Sequence, residues 1–179
     1  MAVSKKQITW TIIATLTFYV AGRLIYEQFY RWTLSLIRNF SGDIVHFFGK
    51  FSFWFFGDPY FGLVFCSIPL TVSLCYLLLK DKYGKAFSWT LIFYLPILIV
   101  FYLLNCYIES IALVASNDFY KTGQTLQYNL QQVNINRLLF ESIIATTILT
   151  TIMNAIKRFR VTKKRLPTTG SFASAGGHE

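Results

Sequence analysis

Charge is what this chain has least of. Only 14% of its 179 residues are Asp, Glu, Lys or Arg, where water-soluble domains carry about 25%. That shortage leaves too few charges to cover a water-facing surface and excludes an ordinary soluble domain. Histidine is scarce too: of two in the chain, only His46 lies outside the C-terminal tail, so bis-histidine haem ligation within one chain is excluded. The three cysteines, Cys66, Cys75 and Cys106, sit in apolar runs without CxxC or metal-ligand spacing. They read as small hydrophobes rather than a disulfide framework or zinc site. Phosphate-binding glycine loops and nucleophile elbows are missing. Cys106 and His46 could be drawn as thiol and base, but no motif fixes either. No enzyme and no cofactor are expected. No small-residue cleavage site follows the first apolar run, so no signal peptide is expected either.

What the chain does have is hydrophobicity: 54% apolar and 18% aromatic residues, with a mean hydropathy of +0.46. A helix needs about 20 apolar residues to cross about 30 Å of hydrocarbon. Four stretches qualify: "ITWTIIATLTFYVAGRLIY" at 8–26, "YFGLVFCSIPLTVSLCYLLL" at 60–79, 86–115, and "LLFESIIATTILTTIMNAI" at 138–156. The third exceeds one crossing and predicts a tilt, a kink at Pro96 or a projection beyond the bilayer. The expected fold is all-α and polytopic. A single four-span bundle occupies 1–157, followed by a basic and then disordered tail at 158–179.

Formal net charge is +9, yet the excess flanks the apolar runs and fills the tail. That placement argues for topology and anionic lipid contact, not nucleic acid. With four spans, eleven of the seventeen Lys and Arg residues fall on the side of both termini and six on the other. The positive-inside rule therefore predicts an inner-membrane protein with both termini cytoplasmic.

"SGDIVHFFGKFSFWFFGDPY", 41–60, packs eight aromatic rings into twenty residues. On a helix Asp43, His46 and Lys50 fall at i, i+3 and i+7, with Val45, Phe48, Phe51 and Phe55 opposite. This predicts an amphipathic aromatic helix over about 41–57, interfacial or re-entrant on the outer face, with Trp54 and Tyr60 at headgroup depth. Asp58-Pro59 ends it. Just upstream, Arg23, Glu27 and Arg31 are spaced i, i+4, i+8, so Glu27 can bridge two arginines on one helix face. These residues, with His46, Phe48, Lys50, Phe51 and Trp54, are the expected partner or lipid contacts. Residues 116–136 read as an ordered or partly helical polar loop.

In the last span Ser142, Thr146, Thr150 and Asn154 recur every fourth residue, with Thr147 and Thr151 alongside. Such a stripe packs helices closely, and the same residues could line a pore. Ser67 and Thr71, with Cys75, make a matching stripe on the second span. Glu141 stands four residues from Arg137, a local ion pair. Glu109 has no neighbour of opposite sign in sequence and stands out as an ionisable group near a span's end. "LPTTG", 166–170, matches the sortase pattern LPxTG but lies after the last span, where that signal does not function.

The chain resembles the small membrane proteins encoded beside bacterial exosortases. The likeness rests on "RLIYEQFYRW", on "TVSLCYLLLKDKYGKAFSWTLIFYLPILIVFYLL" and on "NRLLFESII", about half the chain. The aromatic insert at 41–58 and the loop at 116–136 depart from that pattern, and no functional residue carries over. The resemblance implies an accessory role in sorting surface proteins, without cofactor.

The expected function is a non-catalytic accessory or scaffold subunit in the bilayer, with other integral membrane proteins or copies of itself as partners. The alternatives are a homo-oligomeric channel or membrane-permeabilising effector, and a binding protein for lipid or another hydrophobic ligand.

Overall fold

The computed structural model describes residues 5–49, 58–78, 86–116 and 125–165. The chain is mostly helical. Helix α1 (Lys5–Phe40) has 36 residues, α2 (Pro59–Leu78) 20, α3 (Ala86–Ala115) 30 and α4 (Ile135–Arg165) 31. At 1.5 Å per residue α1 is about 54 Å long, well beyond a hydrocarbon core of about 30 Å. Three helices are long and apolar enough to cross a membrane, with stretches Ile8–Phe40, Ile92–Ala115 and Leu130–Met153. The apolar stretch of α2, Pro59–Cys75, is shorter.

The helices solve their polar problem locally. Thr9, Thr15, Thr17 and Thr33 each donate a hydroxyl to the carbonyl four residues back. Ser142, Thr146, Thr147 and Thr151 do the same on α4. A hydroxyl satisfied within its own helix is tolerable in lipid, where no water can serve it. Pro59 opens α2, and Asp58 caps it by accepting from the Tyr60 amide at 2.9 Å, as a first-turn proline and an N-cap aspartate should. Asn134 caps α4 through the Arg137 amide at 3.0 Å.

Glycine sets how closely α1 and α2 approach. A Cβ on Gly22 would lie 2.8 Å from the Phe65 Cβ, and one on Gly62 would lie 2.9 Å from the Arg23 Cγ. Small residues at a crossing let two backbones approach and gain dispersion contact where lipid offers no hydrophobic drive. Rings fill the junction with α3: Phe29 lies 5.2 Å from Phe61 and 5.1 Å from Tyr102, between centroids.

Beyond the start of α2 the chain builds a small cap. Helix α1 ends in a turn at Ser41, Gly42 and Asp43, the last two at φ +67° and +60°. The Ser41 amide donates to Ile37 and the Asp43 amide to Arg38, closing the helix end. Strand β1 (Val45–Phe48) follows and pairs in parallel with β2 (Leu126–Asn129), Val45 opposite Leu126 and Phe48 opposite Asn129. A 3₁₀ turn, Leu130–Gln132, leads into α4.

This corrects the expected fold in two places. The chain is not all-α, and the amphipathic aromatic helix expected over 41–57 does not form across its described part. Gly42 and Asp43 in left-handed backbone stop the helix. Val45 then turns inward and His46 outward, Phe47 inward and Phe48 outward, a period of two that suits a strand. Lys50, Phe51 and Trp54 lie outside the described residues. Residues 126–129, expected in a polar loop, supply the second strand. Helix α4 also starts earlier and runs later than the span at 138–156. It continues through the basic stretch to Arg165, because Lys and Arg are good helix formers and no breaker precedes Pro167.

The inward sheet face joins one continuous core. Val45, Leu126 and Leu130 cluster with Leu34 and Ile37 of α1, and with Tyr102, Cys106 and Leu113 of α3. Two tyrosines tie the cap down. Tyr30 of α1 donates to the Leu130 carbonyl, and Tyr128 of β2 donates to the Leu113 carbonyl.

Candidate functional site

The end of the bundle that carries the sheet holds the chain's concentrated polar chemistry among the described residues. Arg31, Ser35 and Arg38 recur at i, i+4 and i+7 on α1 and so share one face. They line a cleft of about 270 Å³ whose other walls are Leu34, His46, Phe47, Gly49 and Leu130. Its floor is therefore apolar and its rim cationic and hydroxylic. Gly49, at φ +135°, lies so close to Leu130 that a Cβ there would come within 3.1 Å of the leucine Cδ1. The backbone itself forms that wall.

Each arginine is oriented by an acid outside the cleft. Arg31 pairs with Glu27 at 2.5 Å, and the Arg38 Nε pairs with Asp43 at 2.9 Å. All four side chains are at least a quarter exposed, so the pairs position more than they stabilise; such exposed pairs are worth about 0–1 kcal/mol. Glu27 was expected to bridge Arg23 and Arg31; the pairing described is with Arg31. The stem of Arg23 packs along α2 at Gly62.

A second charged group ties α3 to α4. Arg137, in the first turn of α4, donates to Glu109 on α3 and stands 3.8 Å from Glu141 on its own helix. Glu109, the acid without a sequence neighbour of opposite sign, has its cation across the helix pair. Its side chain is 14% exposed while that of Glu141 is 52% exposed, so the inter-helix pair is the better shielded.

The small-residue stripes lie between helices. Ser142, Thr146 and Thr150 are buried; the side chain of Asn154 lies outside the described residues. Ser142 accepts from the Asn105 amide nitrogen at 2.9 Å. On the second stripe Thr71 meets the Tyr94 hydroxyl at 2.9 Å, and that hydroxyl meets Thr147 at 3.2 Å. Tyr94 thus links α2, α3 and α4 through one oxygen. Ser67 bonds within its own helix to Val64. Thr33 and Tyr102 make the corresponding link between α1 and α3 at 2.5 Å.

Of the expected contact residues, the fold brings Arg31 and His46 into one cleft and sets Glu27 at its flank. Phe48 is exposed on the outward sheet face. Ser35 and Arg38 were missed; the seven-residue spacing of Arg38 from Arg31 is the signal that could have found it. Tyr94, Tyr102 and Asn105 were missed as well, because a lone polar group within an apolar run carries no periodicity. No three of His, Cys, Asp and Glu gather as a metal set among the described residues. Comparison of the chain with protein-family models, with curated proteins and with solved structures finds no match.

Proposed function

We propose that the chain is a four-span protein of the inner membrane, with both termini cytoplasmic, acting as a non-catalytic accessory or scaffold subunit. The observation that carries this reading is how polar and apolar groups are divided. Hydroxyls and amides at the helix contacts bond to one another between helices, as at half-buried Thr71 and Thr147 with buried Tyr94, and at half-buried Asn105 with buried Ser142. The outward faces stay apolar, with Leu16, Val20, Ile99, Val100, Ile144 and Ile148 all exposed. An apolar surface of that extent is untenable in water and natural against lipid or another membrane helix. Beyond it stands a folded cap that offers Phe48 at its surface, the feature a scaffold needs for a specific contact. Burial of Ser142, Thr146 and Thr150 inside one chain's bundle favours the packing use of that stripe over a pore. Surface-protein sorting is the process to which the sequence resemblance would link such a subunit.

The test is purification from native membranes in mild detergent, followed by native mass analysis of the wild type and of Phe48→Ala. One stoichiometric heterologous membrane partner, lost in the variant while the protein stays monodisperse, is the expected result. A closed ring of identical copies that conducts ions in bilayers would overturn it in favour of a channel.

A further inference from the structure

We propose that the cleft between α1 and β1 is a binding site for the phosphate of an anionic lipid headgroup. The inference rests on the multi-pass membrane reading, and adds a ligand that the scaffold reading does not supply.

Four donor-bearing residues line the cleft: Arg31, Ser35, Arg38 and His46. A guanidinium offers five N–H donors in a planar fork that suits phosphate oxygens. Arg31 pairs with Glu27, and the Arg38 Nε pairs with Asp43. Neither acid lines the cleft. Exposed ion pairs of this kind hold their partners weakly, so a phosphate in the cleft gains oriented cations at little cost. The floor of Leu34, Phe47 and Leu130 suits the first carbons attached to a headgroup better than a bare inorganic ion.

Depth agrees with the ligand. The span expected from sequence at 8–26 ends five residues before Arg31, a rise of about 7.5 Å along the helix, within the longer stretch Ile8–Phe40. The headgroup layer is roughly 5–8 Å thick on each side of the hydrocarbon. Trp32 and Tyr60 are both exposed at this end of the bundle, the placement expected of interfacial aromatics. A phosphate at headgroup depth therefore lies where the rim of the cleft opens, and Ser35 and Arg38 follow on the water side.

The test uses the full chain in neutral detergent, with phosphatidylglycerol or phosphatidylcholine added at equal concentration, and counts retained lipid by native mass analysis. Phosphatidylglycerol should be retained at least about tenfold more strongly: both lipids offer a phosphate to the guanidiniums, but the quaternary ammonium of phosphatidylcholine cancels its charge and is repelled by a cationic rim. Arg31→Gln and Arg38→Gln should each bring that retention close to the phosphatidylcholine level, while Lys5→Gln, at the opposite end of α1, should not. Millimolar glycerol phosphate that fails to displace the lipid identifies the membrane as the source. Displacement keeps the phosphate site and assigns it to a soluble ligand. Equal retention of the two lipids, or undiminished retention in both arginine variants, overturns the proposal. Should the arginine variants not stay monodisperse, Ser35→Ala and His46→Gln carry the same comparison, since both side chains are exposed. Resistance of the membrane-bound protein to carbonate extraction, scored on the same preparation, separates failure of the cleft from failure of the membrane reading.

Discussion

Arg137 and Glu109 face each other across the α3–α4 contact, and the arginine donates to the glutamate from the first turn of its helix. The same guanidinium has Glu141 within 3.8 Å, so one cation serves a shielded acid and an exposed one. Glu109→Gln is expected to lower stability by about 1 kcal/mol, because a shielded inter-helix hydrogen bond is lost while half-exposed Arg137 keeps Glu141 and solvent. Glu141→Gln should cost less than about 0.5 kcal/mol. Reversible unfolding in mixed micelles measures both, and equal costs would refute the distinction.

Tyr94→Phe removes a hydroxyl that touches α2 and α4 together. The expected cost is about 1 kcal/mol, in the range of inter-helix hydrogen bonds in membranes. A double-mutant cycle with Thr147→Val should show coupling; additive losses would mean that the 3.2 Å contact contributes nothing.

Gly22→Val places two methyl groups and a Cβ against Phe65, where a Cβ alone would already sit 2.8 Å from the phenylalanine Cβ. Overpacking of this kind costs roughly 1–3 kcal/mol. Phe65→Ala in the same chain should recover part of the loss. If the pair is as destabilised as the sum of the two single variants, the close approach of α1 and α2 is not what the glycine serves.

Tyr128→Phe releases the bond to the Leu113 carbonyl and should loosen the cap without disturbing the spans. Hydrogen exchange at 45–48 and 126–129 should accelerate by about tenfold, the equivalent of roughly 1.4 kcal/mol of local opening. Exchange in the middle of α3 should stay unchanged. A uniform change along the chain would show that cap and spans open as one unit.

Helices could be read from the sequence because apolar runs of sufficient length have few other uses. The pairing of Glu27 with Arg31 was legible at i, i+4, as was the hydroxyl ladder of α4. The sheet was not. Asp43, His46 and Lys50 fit a helical stripe, and a strand of four residues offers only two alternations to compete with it. Its partner, Leu126–Asn129, lies two helices further along the chain, where no local pattern can announce it. Tyr94 and Tyr102 stayed hidden for a different reason. A tyrosine inside an apolar run looks the same whether its hydroxyl meets a threonine or a headgroup, and only the helix arrangement decides.

Strand β1 is made directly after α1, and β2 directly before α4, with α2 and α3 between them. Pairing of that separation is slow and must await the intervening chain. A nascent chain halted after α3 carries Arg31 and Arg38 but has neither a partner for β1 nor Leu130 to wall the cleft. The cleft is thus a late product of biogenesis, present only in molecules whose first and last helices have been stitched together at one end.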